Sequence, residues 1–175
     1  MTLHAWHEEP IAKSHDRKKF DCGNADLNEF LQKHARQNHE SGGAKTFCAI
    51  EGADPKRVLG FYSLAPAAIG HARLPRSVTK GLPQHEIGGF KLARIATRIE
   101  LQGRGLGGQL LLAAGKRCLR VAAEVGGLML IIEAKNGRAA GWYESYGAIR
   151  LEDSPLTLVL PLKTIQVALQ GAGKL

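Results

Sequence analysis

Two sets of residues in this chain have the types and spacing to do chemistry. The first is Gln102-Gly103-Arg104-Gly105-Leu106-Gly107. Glycines there leave main-chain amides uncovered and allow conformations closed to other residues. Leu92–Ile99, just before, has strand character. After it, Leu106, Leu110, Leu111, Ala114, Cys118, Val121, Ala122 and Val125 recur at helical spacing. A strand feeding a glycine-rich turn that opens a helix leaves several N–H groups unpaired at the positive end of a helix dipole. Such an arrangement holds phosphate, and Arg104 adds charge beside it. The second is Tyr143, on the stretch Asn136-Gly137-Arg138-Ala139-Ala140-Gly141-Trp142-Tyr143. A phenol with a pKa near about 10 keeps its proton at neutral pH and donates it to a departing group of lower pKa. Packing on an amphipathic helix is the alternative role for Tyr143, and Tyr146 is the nearest competing phenol.

The elements that must position these residues are legible along the chain. Residues Asn24 to Glu40 read as a helix capped by Asn24, striped by Leu27, Phe30, Leu31 and Ala35, and ended by Gly42-Gly43. Lys45–Glu51 and Arg57–Leu64 read as strands joined through Gly52-Ala53-Asp54-Pro55. The second strand is expected to extend to about His71, followed by a loop or short helix up to Gly89. A strand over Phe90–Ile99, a long helix over Gly105–Val125, a buried strand over Leu128–Glu133, a short helix over Asn136–Tyr146 and a last strand over Leu156–Leu162 complete the reading. The order α-β-β-β-α-β-α-β indicates one α/β layer structure, with the domain over residues 1–163 and a C-terminal tail over 164–175.

Composition bounds the function. A length of 175 residues with 44% hydrophobic content suits one domain with a sizeable core. No apolar run is long enough to span a bilayer, and Met1–Glu9 lacks the regions of a signal peptide. Cys22, Cys48 and Cys118 are odd in number and far apart, which points to a reducing, cytoplasmic setting. The seven histidines lack ligand spacing, so no metal is expected. The net charge of +8 is spread over several basic patches and suits a polyanionic partner, an anionic cofactor or simply solubility, and alone does not choose among them.

Three phosphate-loop patterns compete for the glycine run. A Walker A loop requires Lys and then Ser or Thr after its last glycine, where Gly108-Gln109 stands here. A dinucleotide fingerprint requires GxGxxG near the start of a βαβ unit, and here the spacing is GxGxG past mid-chain. Gln102, Gly105 and Gly107 match the third, Q/R-x-x-G-x-G/A, at every specified position. In this the segment resembles the acetyl-CoA pyrophosphate loop of the GCN5-related N-acetyltransferases (GNAT superfamily). Acetyl-CoA is therefore the expected co-substrate. Main chain at Ile95, Ala96 and Thr97, just upstream, is placed to pair with a pantetheine arm. Asn136, about two helical turns before Tyr143, is expected to face the same cofactor. No carboxylate occurs in the cofactor strand before Glu100, so a general base is not evident; Arg94 and Arg98 stand there instead and suit a phosphate-bearing acceptor. A solvated strand face is the other reading for Arg98.

The resemblance extends further. Phe20-Asp21-Cys22-Gly23 followed by Leu27-Asn28-Glu29-Phe30-Leu31, Gly43–Phe47, Val58–Ala65, Leu92–Ala96, Gly103–Gly107 and Gly141-Trp142-Tyr143 before Gly147 resemble the GNAT toxins of type II toxin–antitoxin systems (the TacT/KacT/AtaT group). That resemblance covers about residues 10 to 162. It implies a single-domain GNAT fold, with a central, mostly antiparallel mixed sheet splayed in the middle and flanked by helices. It implies acetyl transfer from acetyl-CoA to the α-amine of aminoacyl-tRNA, blocking translation. Tyr143 would be the catalytic tyrosine, and Ile95, Ala96, Thr97, Gly103, Arg104, Gly105, Leu106, Gly107 and Gly108 the cofactor contacts. A ribbon-helix-helix antitoxin, operator DNA bound through the antitoxin complex, and a homodimer follow from the same resemblance. Arg98, where relatives often carry an acidic residue, and Trp142, where they carry Phe, depart from the pattern and bear on acceptor preference. An acetyltransferase acting on a protein N-terminus or small amine, and a non-enzymatic binding module, are the rival readings.

Overall fold

A computed structural model describes residues 3–174. Met1 and Thr2 of the N-terminal stretch and Leu175 of the expected tail lie outside the described residues. The strands are β1 (Trp6–Pro10), β2 (Lys45–Glu51), β3 (Val58–Ile69), β4 (Ile87–Thr97), β5 (Met129–Glu133), β6 (Ile149–Arg150) and β7 (Thr157–Pro161). They hydrogen-bond in the order β1-β2-β3-β4-β5-β7-β6. The pairs β1–β2, β2–β3, β5–β7 and β6–β7 are antiparallel and β4–β5 is parallel, giving the mixed, mostly antiparallel sheet expected. Helices are α1 (Ala25–Glu29), α2 (Ala35–Ser41), α3 (Arg76–Thr79), α4 (Leu106–Val125), α5 (Gly137–Glu144) and α6 (Leu162–Gly171). The chain gathers into two compact units, one holding the residues up to Ala65 with Ala93–Ala113, the other Pro66–Leu92 with the residues from Ala114 onward.

In the first unit, Asn24 caps α1 by accepting the Leu27 N–H at 3.0 Å. Between α1 and α2 the chain widens into a π-helical turn, Phe30–His34, which places Phe30, Leu31 and Ala35 together in the core. Gly42, at φ +86°, ends α2 in the left-handed conformation. Phe61 meets Phe20 edge-on at 5.6 Å and Phe30 at 6.1 Å, with Cys48, Ile50 and Val58 packed around them. β2 is buried at every position after Lys45 and β3 from Val58 to Leu64, so both strands are covered on both faces. Inside that layer the hydroxyls of Thr46 and Ser63 satisfy each other at 2.6 Å.

β1 is an element the sequence did not announce. Its polar residues are anchored from the side: Trp6 Nε1 donates to Gln109 Oε1 at 2.9 Å, the Tyr62 hydroxyl donates to Glu8, and the buried His15 pairs with Glu9 at 3.1 Å.

In the second unit, Ile69, Leu74, Ile87, Met129, Ile131, Leu151 and Val159 form one core. The expected boundary at residue 163 falls within the first turn of α6, whose Leu162, Ile165 and Leu169 are buried. Helices α4 and α6 approach closely at Gly115, where an added Cβ would stand 2.7 Å from Ile165 side-chain atoms. Lys116 Nζ then donates to the Lys174 carbonyl at 2.9 Å. No helix among the described residues is long and apolar enough to cross a membrane.

Candidate active site

The glycine loop lies in the first unit. β4 pairs with β5 only over Phe90–Leu92 against Leu130–Ile132. Beyond this β4 continues through Ile95, Ala96 and Thr97, of which Ala96 is buried and the other two half-buried. A 3-10 turn, Ile99–Leu101, follows, then Gln102. Gly103 and Gly105 take φ of +78° and +88°, a region that L-residues with side chains rarely occupy, and a Cβ at either would meet nothing within 4 Å. Conformation therefore requires these glycines, and open space lies above them. α4 starts at Leu106, and the Gln109 N–H donates to the Gly105 carbonyl at 3.2 Å. The first-turn amides of Leu106, Gly107 and Gly108 precede any intrahelical acceptor. Left-handed glycines, open space and unpaired donors at a helix N-terminus fit an anionic pyrophosphate. Arg104 is exposed beside them.

Gln102 is used differently from a simple phosphate contact. Its Nε2 donates to the Cys22 carbonyl at 2.9 Å and to the Thr97 carbonyl at 3.2 Å. Arg98 likewise has an occupation of its own. It lies beyond the end of β4 and is buried. Opposite it, β2 and β3 shift register so that Ala49 pairs with Gly60 and Ile50 with Val58, leaving Leu59 as a bulge. The Arg98 main-chain N–H donates to the Leu59 carbonyl at 2.9 Å, its Nε to the Val58 carbonyl at 2.6 Å, and its Nη1 to the Lys19 carbonyl at 3.1 Å. Burial, and then the nearby Arg57, pulls the guanidinium below its ordinary pKa. Where the sequence suggested a substrate contact or a solvated face, the structure shows an internal staple for a bulge. Arg94, by contrast, is exposed, with its guanidinium carbon 3.9 Å from the Phe30 ring centroid. Glu100, the carboxylate nearest the cofactor strand, accepts from Arg57 Nη2 at 3.1 Å, while Arg57 Nη1 reaches Glu51 at 2.9 Å. Glu100 is thus held in an ion-pair network with Arg57 and Glu51.

Tyr143 belongs to the second unit. It sits on α5 and is buried, and burial pushes its phenol up to about 12. No hydrogen bond to its hydroxyl occurs among the described residues. Trp142, at the surface, meets the Tyr143 ring edge-on at 5.0 Å and the half-buried Tyr146 at 5.1 Å. Asn136, expected at the cofactor, caps α5: its Oδ1 accepts the Ala139 N–H at 2.8 Å. Among the described residues, no group of three or more His, Cys, Asp or Glu is placed to hold a metal ion.

No family model matches the chain. It is 32% identical over 153 residues to the tRNA-acetylating toxin of Mycobacterium tuberculosis, a span of 87% of this chain and 90% of that protein. The chain belongs to the GNAT acetyltransferase toxins of toxin–antitoxin systems. Solved structures of GNAT toxins share its fold. AtaT complexed with acetyl-methionyl-tRNAfMet superposes with a TM-score of 0.87 at 29% identity, covering 94% of this chain and 99% of AtaT. A mutant AtaT bound to acetyl-CoA and to the C-terminus of the antitoxin AtaR superposes with a TM-score of 0.79 at 26% identity, covering 93% and 97%.

Proposed function

We propose that this GNAT toxin moves the acetyl group of acetyl-CoA onto the α-amino group of an aminoacyl-tRNA and thereby blocks translation. The observation that carries this reading is the kinship with a tRNA-acetylating toxin over nearly the whole chain. The open, donor-lined loop at Gly103–Gly108 supports it with a place for the pyrophosphate.

Acetyl-CoA supplies an activated acyl group as its thioester. The chain's own residues bind, orient and manage one proton. Amides of Gly103, Gly105, Leu106, Gly107 and Gly108 hold the pyrophosphate, with the α4 dipole behind them and the Arg104 side-chain charge beside them, while the Arg104 N–H donates to the Leu101 carbonyl at 3.2 Å and closes the turn. Main chain at Ile95, Ala96 and Thr97 lines the pantetheine arm by strand-like pairing. The Tyr143 hydroxyl donates its proton to the departing sulfur. Burial keeps that phenol protonated at neutral pH, and a thiolate in apolar surroundings is destabilised by the same cause, so the proton transfer remains accessible. The amine's own released proton restores the phenol. An α-amine, with a pKa near about 7.7–8.0, loses its proton far more readily than a lysine, which agrees with Glu100 being tied up by Arg57.

Acting on tRNA, the enzyme would work in the cytoplasm. A ribbon-helix-helix antitoxin would neutralise it and carry the complex to operator DNA, and the active toxin would be a homodimer. The deciding experiment incubates the protein with charged tRNA and labelled acetyl-CoA. N-acetyl-aminoacyl-tRNA is the expected product; label found only on protein or small amines rejects the reading.

A further inference from the structure

Several hydrogen bonds around the glycine loop have no part in the chemistry above, and together they form one continuous path. It begins on α1 at Asn28. The Asn28 amide donates from Nδ2 to Asp21 Oδ1 at 3.0 Å and accepts the Cys22 N–H on Oδ1 at 2.9 Å. Asp21 Oδ1 also accepts the Gly23 N–H at 2.8 Å, and Gly23 turns the chain at φ +83°. These bonds, Gly23 first and then Asn28, hold the Asp21 carboxyl below its ordinary pKa, so the turn is fastened by a carboxylate. The fastened turn presents two carbonyls to the approach of the glycine loop. Asp21 O accepts the Ile99 N–H at 2.9 Å, and Cys22 O accepts Gln102 Nε2 at 2.9 Å. An added Cβ at Gly23 would stand 3.3 Å from Ile99 Cδ1, so the two segments also lie in close contact.

Gln102 immediately precedes Gly103, the first left-handed residue of the loop. Downstream of it, Gly103 and Gly105 are exposed, and a Cβ at either would meet nothing within 4 Å. A segment of that kind has many conformations to lose when it closes on an anion. Fixing its entry point reduces that loss in advance.

We infer that Asn28 and Gln102 are positioning residues for acetyl-CoA binding: Asn28 shapes the Asp21–Gly23 turn, whose Cys22 carbonyl holds Gln102 and so sets the loop's entry. This rests on the reading of the loop as the acetyl-CoA site. It also gives Phe20–Gly23 and Leu27–Leu31, which carried much of the family resemblance, a physical task at the donor end of the reaction.

The test compares wild type, Asn28→Ala, Gln102→Ala and the double variant. Calorimetry gives the acetyl-CoA Kd, steady-state kinetics give kcat and both KM values, and amide exchange follows residues 99–108 against β2. Each single variant is expected to weaken acetyl-CoA binding about tenfold, the scale of one or two lost ordering hydrogen bonds, with kcat at saturation and the acceptor KM unchanged. Exchange should quicken over 99–108 while β2 stays protected. The double variant should be no weaker than the worse single one, since both cut the same path. Unchanged acetyl-CoA affinity in folded variants overturns the inference, and so do additive losses. If Asn28→Ala costs β2 its protection, Gln102→Ala decides by the same criteria. A wild-type protein that fails to bind acetyl-CoA rejects the underlying reading instead, and is seen before any variant is compared.

Discussion

The Arg98 guanidinium donates through Nε to the Val58 carbonyl at 2.6 Å, next to the bulge at Leu59 in the β2–β3 ladder. A buried carbonyl left without a donor costs about 1–3 kcal/mol. Arg98 supplies that donor to Val58, adds a part-buried bond to the carbonyl of the exposed Lys19, and lies 5.8 Å from the Phe20 ring. Arg98→Ala is therefore expected to lower stability by roughly 1–3 kcal/mol. Arg98→Lys should recover part of this, because an ammonium cannot reproduce the planar fork. Urea unfolding measures both. A fully stable Arg98→Ala with a raised KM for charged tRNA would return Arg98 to the acceptor site.

The proposed role of Tyr143 makes a two-sided prediction. Tyr143→Phe removes the proton donor and keeps the ring that packs against Trp142. The expected loss in kcat is about 10²–10⁴-fold, the usual span for a positioned acid, with the acetyl-CoA Kd unchanged. Burial has raised the phenol to about 12, so the wild-type rate should show no alkaline limb from phenol ionisation up to about pH 10. Rapid-quench measurements of the acetyl-transfer step across that range would expose one. An alkaline limb near the ordinary phenol value, absent from the Phe variant's residual rate, would show a Tyr143 far more solvated than its burial implies.

Elements fixed by local chemistry could be read from the sequence. Asn24 caps its helix and Gly42 ends it because an Asx side chain and a glycine do those jobs through bonds a few residues long. Gly103 and Gly105 announced a glycine-rich turn for the same reason, and the structure gives both positive φ. What escaped depends on partners distant in sequence. β1 is a polar, half-exposed edge held by pairings such as Trp6 with Gln109. Arg98 read as a substrate contact or a solvated face because nothing near it in sequence reveals the carbonyls about 40 residues upstream, beside a bulge, to which it donates. Asn136, expected at the cofactor, also caps α5 through its side-chain oxygen, a role that its place at the start of that helix allows. The signal for α6 was also present: Leu162, Ile165 and Leu169 have helical spacing and line its buried face.

Gly60 tests how tightly the cofactor strand is seated. A Cβ there would lie 2.8 Å from the Ala96 carbonyl oxygen and 2.9 Å from Leu110 Cδ1. Leucine can rotate away, but the Ala96 carbonyl is main chain in the segment proposed to pair with pantetheine. Gly60→Ala should therefore cost about 1–3 kcal/mol from overpacking. It should also raise the acetyl-CoA KM more than it lowers kcat, because displacement of β4 disturbs binding before proton transfer. Thermal unfolding together with steady-state kinetics separates the two effects. Normal stability with normal KM would mean that β4 yields at Ala96 without consequence.

His39 gives the fold a dependence on mild acid. Its Nδ1 accepts the Thr46 N–H at 2.9 Å at the start of β2, and its ring meets Phe47 edge-on at 5.8 Å. Burial, and then the Lys45 charge, lowers its pKa from the ordinary 6.5, with Glu40 opposing. A histidine whose folded pKa is depressed binds its proton more readily when unfolded. Its contribution to stability is therefore complete above about pH 6.5 and falls away as pH drops through the lower, folded value. Protonated Nδ1 becomes a donor facing a donor, so the Thr46 bond is lost in the same step. His39→Gln stays neutral throughout and keeps a carbonyl oxygen that can accept from Thr46. Urea unfolding of both proteins from about pH 8 to 5 should show wild type losing stability faster than the variant once pH falls below about 6.5. Other titrating groups are common to both proteins and cancel in the difference. Parallel curves would mean that the His39 ring gives up its Thr46 contact without cost.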